Sequence, residues 1–209
     1  MSKVIIIGGG AAGMMAAWAA AGREHQVILL EKNEKLGKKI YITGKGRCNV
    51  TNAADMETLF DNVVSNPKFL YSAFAQLDNQ AVMNFFEKAG CRLKTERGDR
   101  VFPVSDHSSD VIAALNGELK KNRVQVMLHT EVSELLLEEG SIKGVLLSDG
   151  KKLHADAVII SLAGICKIAA AFPCNINFLS GLFIFFQKGH MRPFYSRHTC
   201  RHHSGHLND

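Results

Sequence analysis

The sequence predicts an α/β domain built on a parallel sheet, and three observations predict it. A β-branched run, Val4-Ile5-Ile6-Ile7, leads straight into glycines, as a strand covered on both faces does. The stretch Ala11 to Ala21 is rich in Ala and Met and is stopped by Gly22; this is helix-forming composition closed by a C-terminal cap residue. A second apolar run, Val27-Ile28-Leu29-Leu30, then completes a βαβ unit.

With 209 residues, 46% of them hydrophobic, the chain is long enough for one globular, soluble domain or one domain plus part of another. The net charge of +5 would suggest a nucleic acid or a membrane surface, but it is unevenly placed. The last 45 residues hold five cations (Lys167, Lys188, Arg192, Arg197, Arg201) and one acid, Asp209, which leaves about +1 for residues 1–164. No basic groove and no nucleic-acid motif follow from that distribution. Five widely spaced cysteines, Cys48, Cys91, Cys166, Cys174 and Cys200, form no CxxC pair; an odd set of this kind fits reduced thiols in the cytoplasm. Lys3, the apolar run behind it and Ala19-Ala20-Ala21 imitate a secretory signal, but Gly8, Gly9, Gly10 and Gly13 interrupt the run. Ile176 to Phe186 is too short to span a membrane.

Between Asn33 and Asn52 hydrophobic periodicity fades while glycines and cations accumulate, which predicts a long functional loop. Residues 67–89 predict two helices whose apolar stripe (Phe69, Phe74, Leu77, Val82, Phe85, Phe86) packs in the core. Two short strands are expected around the turn at Gly98. A helix is expected from Asp110 to Lys121, with Ser108 or Ser109 as its cap. From Val124 to Ile160, apolar runs with turns at Glu139-Gly140 and Asp149-Gly150 predict a β-meander. Ala157-Val158-Ile159-Ile160 reads as a return to the parallel sheet.

Gly8-x-Gly10-x-x-Gly13, with Ala11 and Ala12 opening the helix, lies between a predicted strand and a predicted helix, the setting that makes this pattern a Rossmann-like dinucleotide fingerprint. Gly8 permits the turn, Gly10 lets the backbone approach a pyrophosphate, and Gly13 lets helix and strand pack closely. The helix N-terminus adds unpaired N–H groups and partial positive charge. Glu31 ends the second strand 18 residues past Gly13, placed to accept hydrogen bonds from both ribose hydroxyls of an adenosine and to repel an NADP 2′-phosphate. Lys32 follows it. Lys38, Lys39, Lys45 and Arg47, set among Gly37, Gly44 and Gly46, make a cationic loop able either to fold over a diphosphate or to stay a solvated basic turn.

The βαβ unit alone does not separate FAD from NAD. From Leu36 the chain reads LGKKIYITGKGRCNVTN, and from Arg100 it reads RVFPVSDHSSDV; both segments resemble the BaiN-type family of NAD(P)/FAD-dependent flavoproteins, over about residues 1–164. The resemblance implies a Rossmann-like FAD-binding domain, FAD as cofactor and NADH or NADPH as possible reductant. It also implies oxidoreductase activity on a small-molecule substrate that the sequence does not identify. By the same resemblance the cofactor site takes in Gly8, Gly10, Ala11, Ala12, Gly13, Glu31, Lys32, Lys39, Gly46 and Arg47. Val132 is implied as a backbone contact to adenine, although an ordinary strand valine reads the same way. Cys48 lacks the nearby second cysteine that a dithiol relay needs, and is read as a packed thiol.

Where the resemblance implies that the strand at Val158 ends in a segment close to ATGG, this chain has Ser161-Leu162-Ala163-Gly164 and then Ile165. Beyond Gly164 the resemblance stops, and five of the nine histidines crowd the remaining residues. Residues 1–164 are therefore expected to form the amino-terminal portion of a FAD-binding domain incomplete at its C-terminus. Residues 165–209 are expected to be an atypical tail, truncated, frame-shifted or divergent. Cys200, His202, His203 and His206 lack a second well-spaced ligand pair, so no metal site is expected there. No catalytic residue is assigned; a non-catalytic dinucleotide-binding remnant is the alternative.

Overall fold

The computed structural model of the chain describes residues 1–64, 66–161 and the backbone of a strand at 184–187. Its elements run β1 (Lys3–Ile7), α1 (Ala11–Ala21), β2 (Gln26–Leu30), α2 (Lys38–Ile42), β3 (Thr51–Asn52), α3 (Met56–Asp61), α4 (Tyr71–Gln76) and α5 (Asn79–Lys88). They continue with β4 (Leu93–Glu96), β5 (Arg100–Pro103), α6 (Ser108–Lys121), β6 (Gln125–Met127), β7 (Val132–Glu138), β8 (Ser141–Leu147), β9 (Lys152–His154), β10 (Ala157–Ile160) and β11 (Ile184–Gln187). The main sheet has the order β11-β10-β1-β2-β6. Four of its strands are parallel, and β11 joins β10 antiparallel.

Continuous apolar strands mean two covered faces, and alternation along β1 divides them. Val4 and Ile6 point into a core shared with Met14 and Ala17 of α1, Phe85 and Phe86 of α5, and Val111, Leu115 and Leu119 of α6. Ile5 and Ile7 point the other way, onto Val132, Ile142, Val145 and Leu147 of the meander β7-β8-β9. Trp18 meets Phe85 edge to face at 4.7 Å and fastens α1 to α5. A small antiparallel sheet, β3-β5-β4, stands beside this core.

Several expectations are corrected in detail. Residues 33–52 are not one irregular loop: they carry α2, a 3-10 turn over Thr43–Gly46 and the short β3. The segment 125–127 is not a meander strand but the parallel neighbour of β2. α6 starts at Ser108 behind His107, and no side chain caps it, so neither serine is its cap. Leu77 is exposed rather than part of the core stripe. Asp55 and Asp78, by contrast, cap α3 and α5, accepting from the N–H groups of Thr58 and Ala81. The break expected at Gly164 and the cysteines and histidines of the tail lie outside the described residues. Among the described residues no helix is long and apolar enough to cross a membrane.

Candidate functional site

Parallel strands deliver their carboxyl ends to one edge of the sheet, and ligands of open α/β sheets bind there. Here that edge collects the 8–13 loop after β1, Glu31 after β2 and Ser161 after β10. The loop is tied on both sides: the N–H of Gly8 donates to the carbonyl of Leu30 (2.8 Å), and the N–H of Ser161 donates to that of Ile7 (2.8 Å).

The glycines do three different things. Gly8 has φ +105°, a backbone conformation that a side chain would strain. A Cβ on Gly13 would strike the carbonyl oxygen of Gly8, so this glycine is what allows α1 to sit against the end of β1. A Cβ on Gly10 would meet nothing within 4 Å and would stand in open space at the start of α1. The helix N-terminus is uncapped by any side chain and has no acid in its first turn; its free N–H groups and partial positive charge suit an anion. Open space at an uncapped helix start and a carboxylate at the neighbouring strand end fit the diphosphate and ribose of a dinucleotide.

Gly9, a variable position in the glycine pattern, is enclosed as well. A side chain there would strike Leu36 and crowd Glu31. Its N–H donates to Oε2 of Glu31 at 2.7 Å, and its carbonyl accepts from the N–H of Gly37 at 2.8 Å. The Leu36-Gly37 segment is thereby bound to the phosphate loop. The signal for Gly9 was the uninterrupted GGG, a run longer than the turn itself needs.

Glu31 is buried, with only 8% of its surface exposed. Besides Gly9, it accepts at Oε1 from the backbone N–H of Asn33 (2.8 Å) and from the Asn33 amide (2.5 Å). Sequence reasoning missed Asn33. The chain leading into the meander is docked on the same strand end: Thr130 donates to the carbonyl of Glu31 (2.9 Å) and His129 to that of Asn33 (3.1 Å). Val132, two residues further on, is buried in the core between the main sheet and the meander. Lys32 is exposed and sits 3.8 Å from Glu131.

The cationic loop is less free than its composition suggests. Arg47 donates through Nε and Nη2 to Asp106 (2.8 and 2.6 Å) and through Nη2 to Glu96 (2.5 Å), and it lies over the Phe102 ring at 4.2 Å. Lys94 joins the same carboxylates, at 2.7 Å from Asp106 and 3.5 Å from Glu96. Hydrogen bonds from Lys94 and then Arg47 hold Asp106 below the usual carboxylate range, and Arg47 does the same for Glu96. Lys38 pairs with Glu34 (3.2 Å), and Lys35 sits over Tyr41. Lys39 and Lys45 are exposed and form no ion pair with the described carboxylates. Gly46 has φ +89°, and Gly44, Lys45 and Cys48 also take left-handed conformations. The structure therefore brings Gly8, Gly10, Ala11, Ala12, Gly13 and Glu31 together at one edge, whereas Arg47 is committed to the small sheet.

Cys48 and Cys91 are free and buried. Burial pushes the Cys48 thiol up, partly offset by a hydrogen bond with Thr43, and it pushes Cys91 to about 11, with Asp110 and Glu87 adding to the rise. Neither has the lowered pKa of a reactive thiol.

Comparison with known proteins places this geometry. Residues 2–170 match the family described as HI0933-like protein Rossmann domain. The chain is 37% identical over 167 residues to the 3-dehydro-bile acid delta(4,6)-reductase of Clostridium scindens, a match covering 78% of this chain and 39% of that protein. It is 28% identical over 183 residues to the ribosomal RNA dihydrouridine synthase of Escherichia coli, covering 82% of this chain and 44% of that protein. The chain thus spans about two fifths of the length of these curated relatives. In fold it is similar to the 3-ketosteroid-delta4-(5alpha)-dehydrogenase from Rhodococcus jostii, with a TM-score of 0.60 at 14% identity, covering 78% of this chain and 46% of that one. On the family match and the 37% identity, the chain belongs to the HI0933-like Rossmann-domain family, the BaiN-type flavoproteins.

Proposed function

We propose that this chain holds the adenosine and diphosphate of FAD for a flavin-dependent reductase acting on carbon–carbon double bonds conjugated to a carbonyl. The observation that carries the cofactor half of this reading is the pairing of open space at Gly10, over the uncapped start of α1, with the buried carboxylate of Glu31. The reaction class is supported by what two relatives are named for. A 3-dehydro-bile acid delta(4,6)-reductase and a dihydrouridine synthase act on very different molecules, yet a 3-oxo ring system with unsaturation at C4 and the uracil ring both present an alkene in conjugation with a carbonyl. Saturating either takes a hydride to the β-carbon and a proton to the α-carbon.

Bound FAD supplies the hydride chemistry, and the protein's part is to bind, orient and shield. In this reading the first-turn N–H groups behind Gly10, Ala11 and Ala12 receive the diphosphate, Glu31 receives the ribose, and the backbone of Val132 borders the adenine. Lys32, Lys39 and the Gly46-Arg47 corner stand at the rim, Lys39 being free to approach a phosphate and Arg47 fixing the corner. Residues 1–164 would be the amino-terminal portion of the FAD domain and 165–209 a separate tail. NADH or NADPH would serve as reductant. An odd set of widely spaced cysteines, two of them buried and free, supports a reducing cytoplasmic setting.

The test is to purify the chain in the presence of FAD, remove unbound cofactor and record flavin absorbance, then follow bleaching by NADH and by NADPH under anaerobic conditions. Stoichiometric flavin that Gly10→Val abolishes is the expected result. A parent chain that retains no flavin and gains no thermal stability from FAD would overturn the reading.

A further inference from the structure

We propose that Asn33 is a positioning residue of the nucleotide site: it occupies Oε1 of Glu31 and leaves Oε2 to accept a single ribose hydroxyl. The inference rests on the reading of this cleft as a FAD site.

A carboxylate offers about four acceptor positions, two on each oxygen. Oε1 of Glu31 receives both the backbone N–H of Asn33 and its side-chain amide, at 2.8 and 2.5 Å. Both of its positions are filled. Oε2 receives the N–H of Gly9 at 2.7 Å and keeps one position. A strand-end acid is expected to serve two ribose hydroxyls, and the donors already present reduce that capacity to one.

Asn33 is itself held, and so sets the carboxylate's direction. Its carbonyl accepts from the N–H of His129 at 3.1 Å, and its Oδ1 accepts from Nζ of Lys38 at 3.3 Å. With the amide oxygen facing Lys38, the amide nitrogen faces Glu31. On the opposite side the carboxylate rests against Gly9, where the site of a Cβ lies 3.1 Å from Oε2. Glu31 is thus fixed between two donors on different elements, with 8% of its surface left open. A carboxylate aimed in advance pays little ordering cost when the nucleotide arrives.

The experiment measures, by calorimetry on the full FAD-free chain, the affinities of ADP, 2′-deoxy-ADP and 3′-deoxy-ADP for the parent, Asn33→Leu and Lys38→Met. In the parent, one deoxy analogue binds about tenfold more weakly than ADP, the loss of one hydrogen bond to a charged acceptor, and the other binds within about twofold. Asn33→Leu weakens ADP by about tenfold and shrinks the deoxy penalty to under about threefold, because the carboxylate, left with its two backbone donors, is aimed less firmly. Lys38→Met, which removes the cation facing the Asn33 amide oxygen, shifts the deoxy-to-ADP ratio in the same direction as Asn33→Leu but by less. A residue that merely supported the fold would lower every affinity together and leave the deoxy-to-ADP ratio where it was.

Comparable losses for both deoxy analogues in the parent would show that both hydroxyls are read and overturn the proposal, as would an unchanged ratio in Asn33→Leu. If the leucine variant does not fold, Asn33→Ser keeps the backbone donor, removes the amide and reads the same ratio. Failure of the parent to bind either ADP or FAD is a different result: it overturns the cofactor reading, and this inference with it.

Discussion

Gly10 and Gly13 belong to one sequence pattern, but the structure predicts opposite consequences for them. In Gly13→Ala the new methyl group lands on the carbonyl oxygen of Gly8, a backbone atom, with the Gly8 carbonyl carbon at 3.0 Å. No rotamer relieves that contact, so α1 must lift off β1. Overpacking of this kind costs about 3 kcal/mol, and the better helix propensity of Ala returns about 1 kcal/mol. The net loss of about 2 kcal/mol lowers the melting temperature by about 4–8 °C in a chain of this size. Gly10→Ala is different. Its φ of −78° suits any residue, and its Cβ meets nothing within 4 Å. Losing glycine at the N-cap costs about 0.5–1 kcal/mol, and the stiffer unfolded chain returns about 0.4–1 kcal/mol, so stability is unchanged. In the proposed site the added atoms stand where the diphosphate would approach. With valine at this position, losing two charge-assisted contacts of about 1.5 kcal/mol each weakens FAD by about 100-fold. Thermal melting without cofactor, followed by a fluorescence titration of FAD, separates the two effects. The reasoning is refuted if Gly10→Val melts as low as Gly13→Ala, or if it binds FAD as tightly as the parent.

Three further outcomes follow from the same geometry. Glu31→Ala removes the acceptor for the N–H of Gly9 as well as the one proposed for the ribose, so it should weaken FAD and also cost about 1–3 kcal/mol of stability without cofactor for the stranded donor, seen as a lower melting temperature; a purely ligand-side loss would show the Gly9 contact to be unimportant. Arg47→Met should loosen the 43–48 loop more at low than at high salt and let the Asp106 and Glu96 carboxyls titrate higher, measurable by NMR. Because both are held down in the folded chain, this network stabilises it above the ordinary carboxylate range and is lost as pH falls through the depressed values; unmoved titrations in the variant would count against it. Cys91, pushed up to about 11, should resist alkylation at pH 8 until the chain unfolds. Its contribution to stability should fall as pH rises from the ordinary thiol value towards 11, since the unfolded state releases its proton first. Rapid labelling of the native chain at Cys91 would contradict its burial.

Much of the fold was legible because the strongest signals were local. Ala11–Ala21 emerges with the expected bounds, since composition, the preceding glycines and Gly22 all agree. The apolar runs at Val4, Val27 and Ala157 become neighbouring parallel strands because two covered faces leave no polar position to place. Residues 125–127 were harder. Two of the three are exposed or nearly so, and a short edge strand of a parallel sheet has the same apolar and polar mixture as a meander strand. α2 was hidden for another reason: it has only five residues, too few for a period, and it is held by Gly37 against Ile112 of α6, a contact 75 positions away.

At the site, a count of charges along the sequence did not reveal which of them were already spent. Lys38, Lys39, Lys45 and Arg47 read either as a loop folding over a diphosphate or as a solvated basic turn, yet Lys38 is drawn to Glu34, and Arg47 to two carboxylates that lie 49 and 59 residues further on. The same holds for the acid. Glu31 was found from its spacing to Gly13, but its capacity depends on Gly9 and Asn33, and Asn33 sits two residues away in no recognisable pattern. Fingerprints mark where a ligand's charge must be met. How much of each side chain remains to meet it depends on the neighbours that fold against it, and here those neighbours divide the sequence's candidates into residues gathered at the carboxyl edge of the sheet and a corner that fastens the loop beside it.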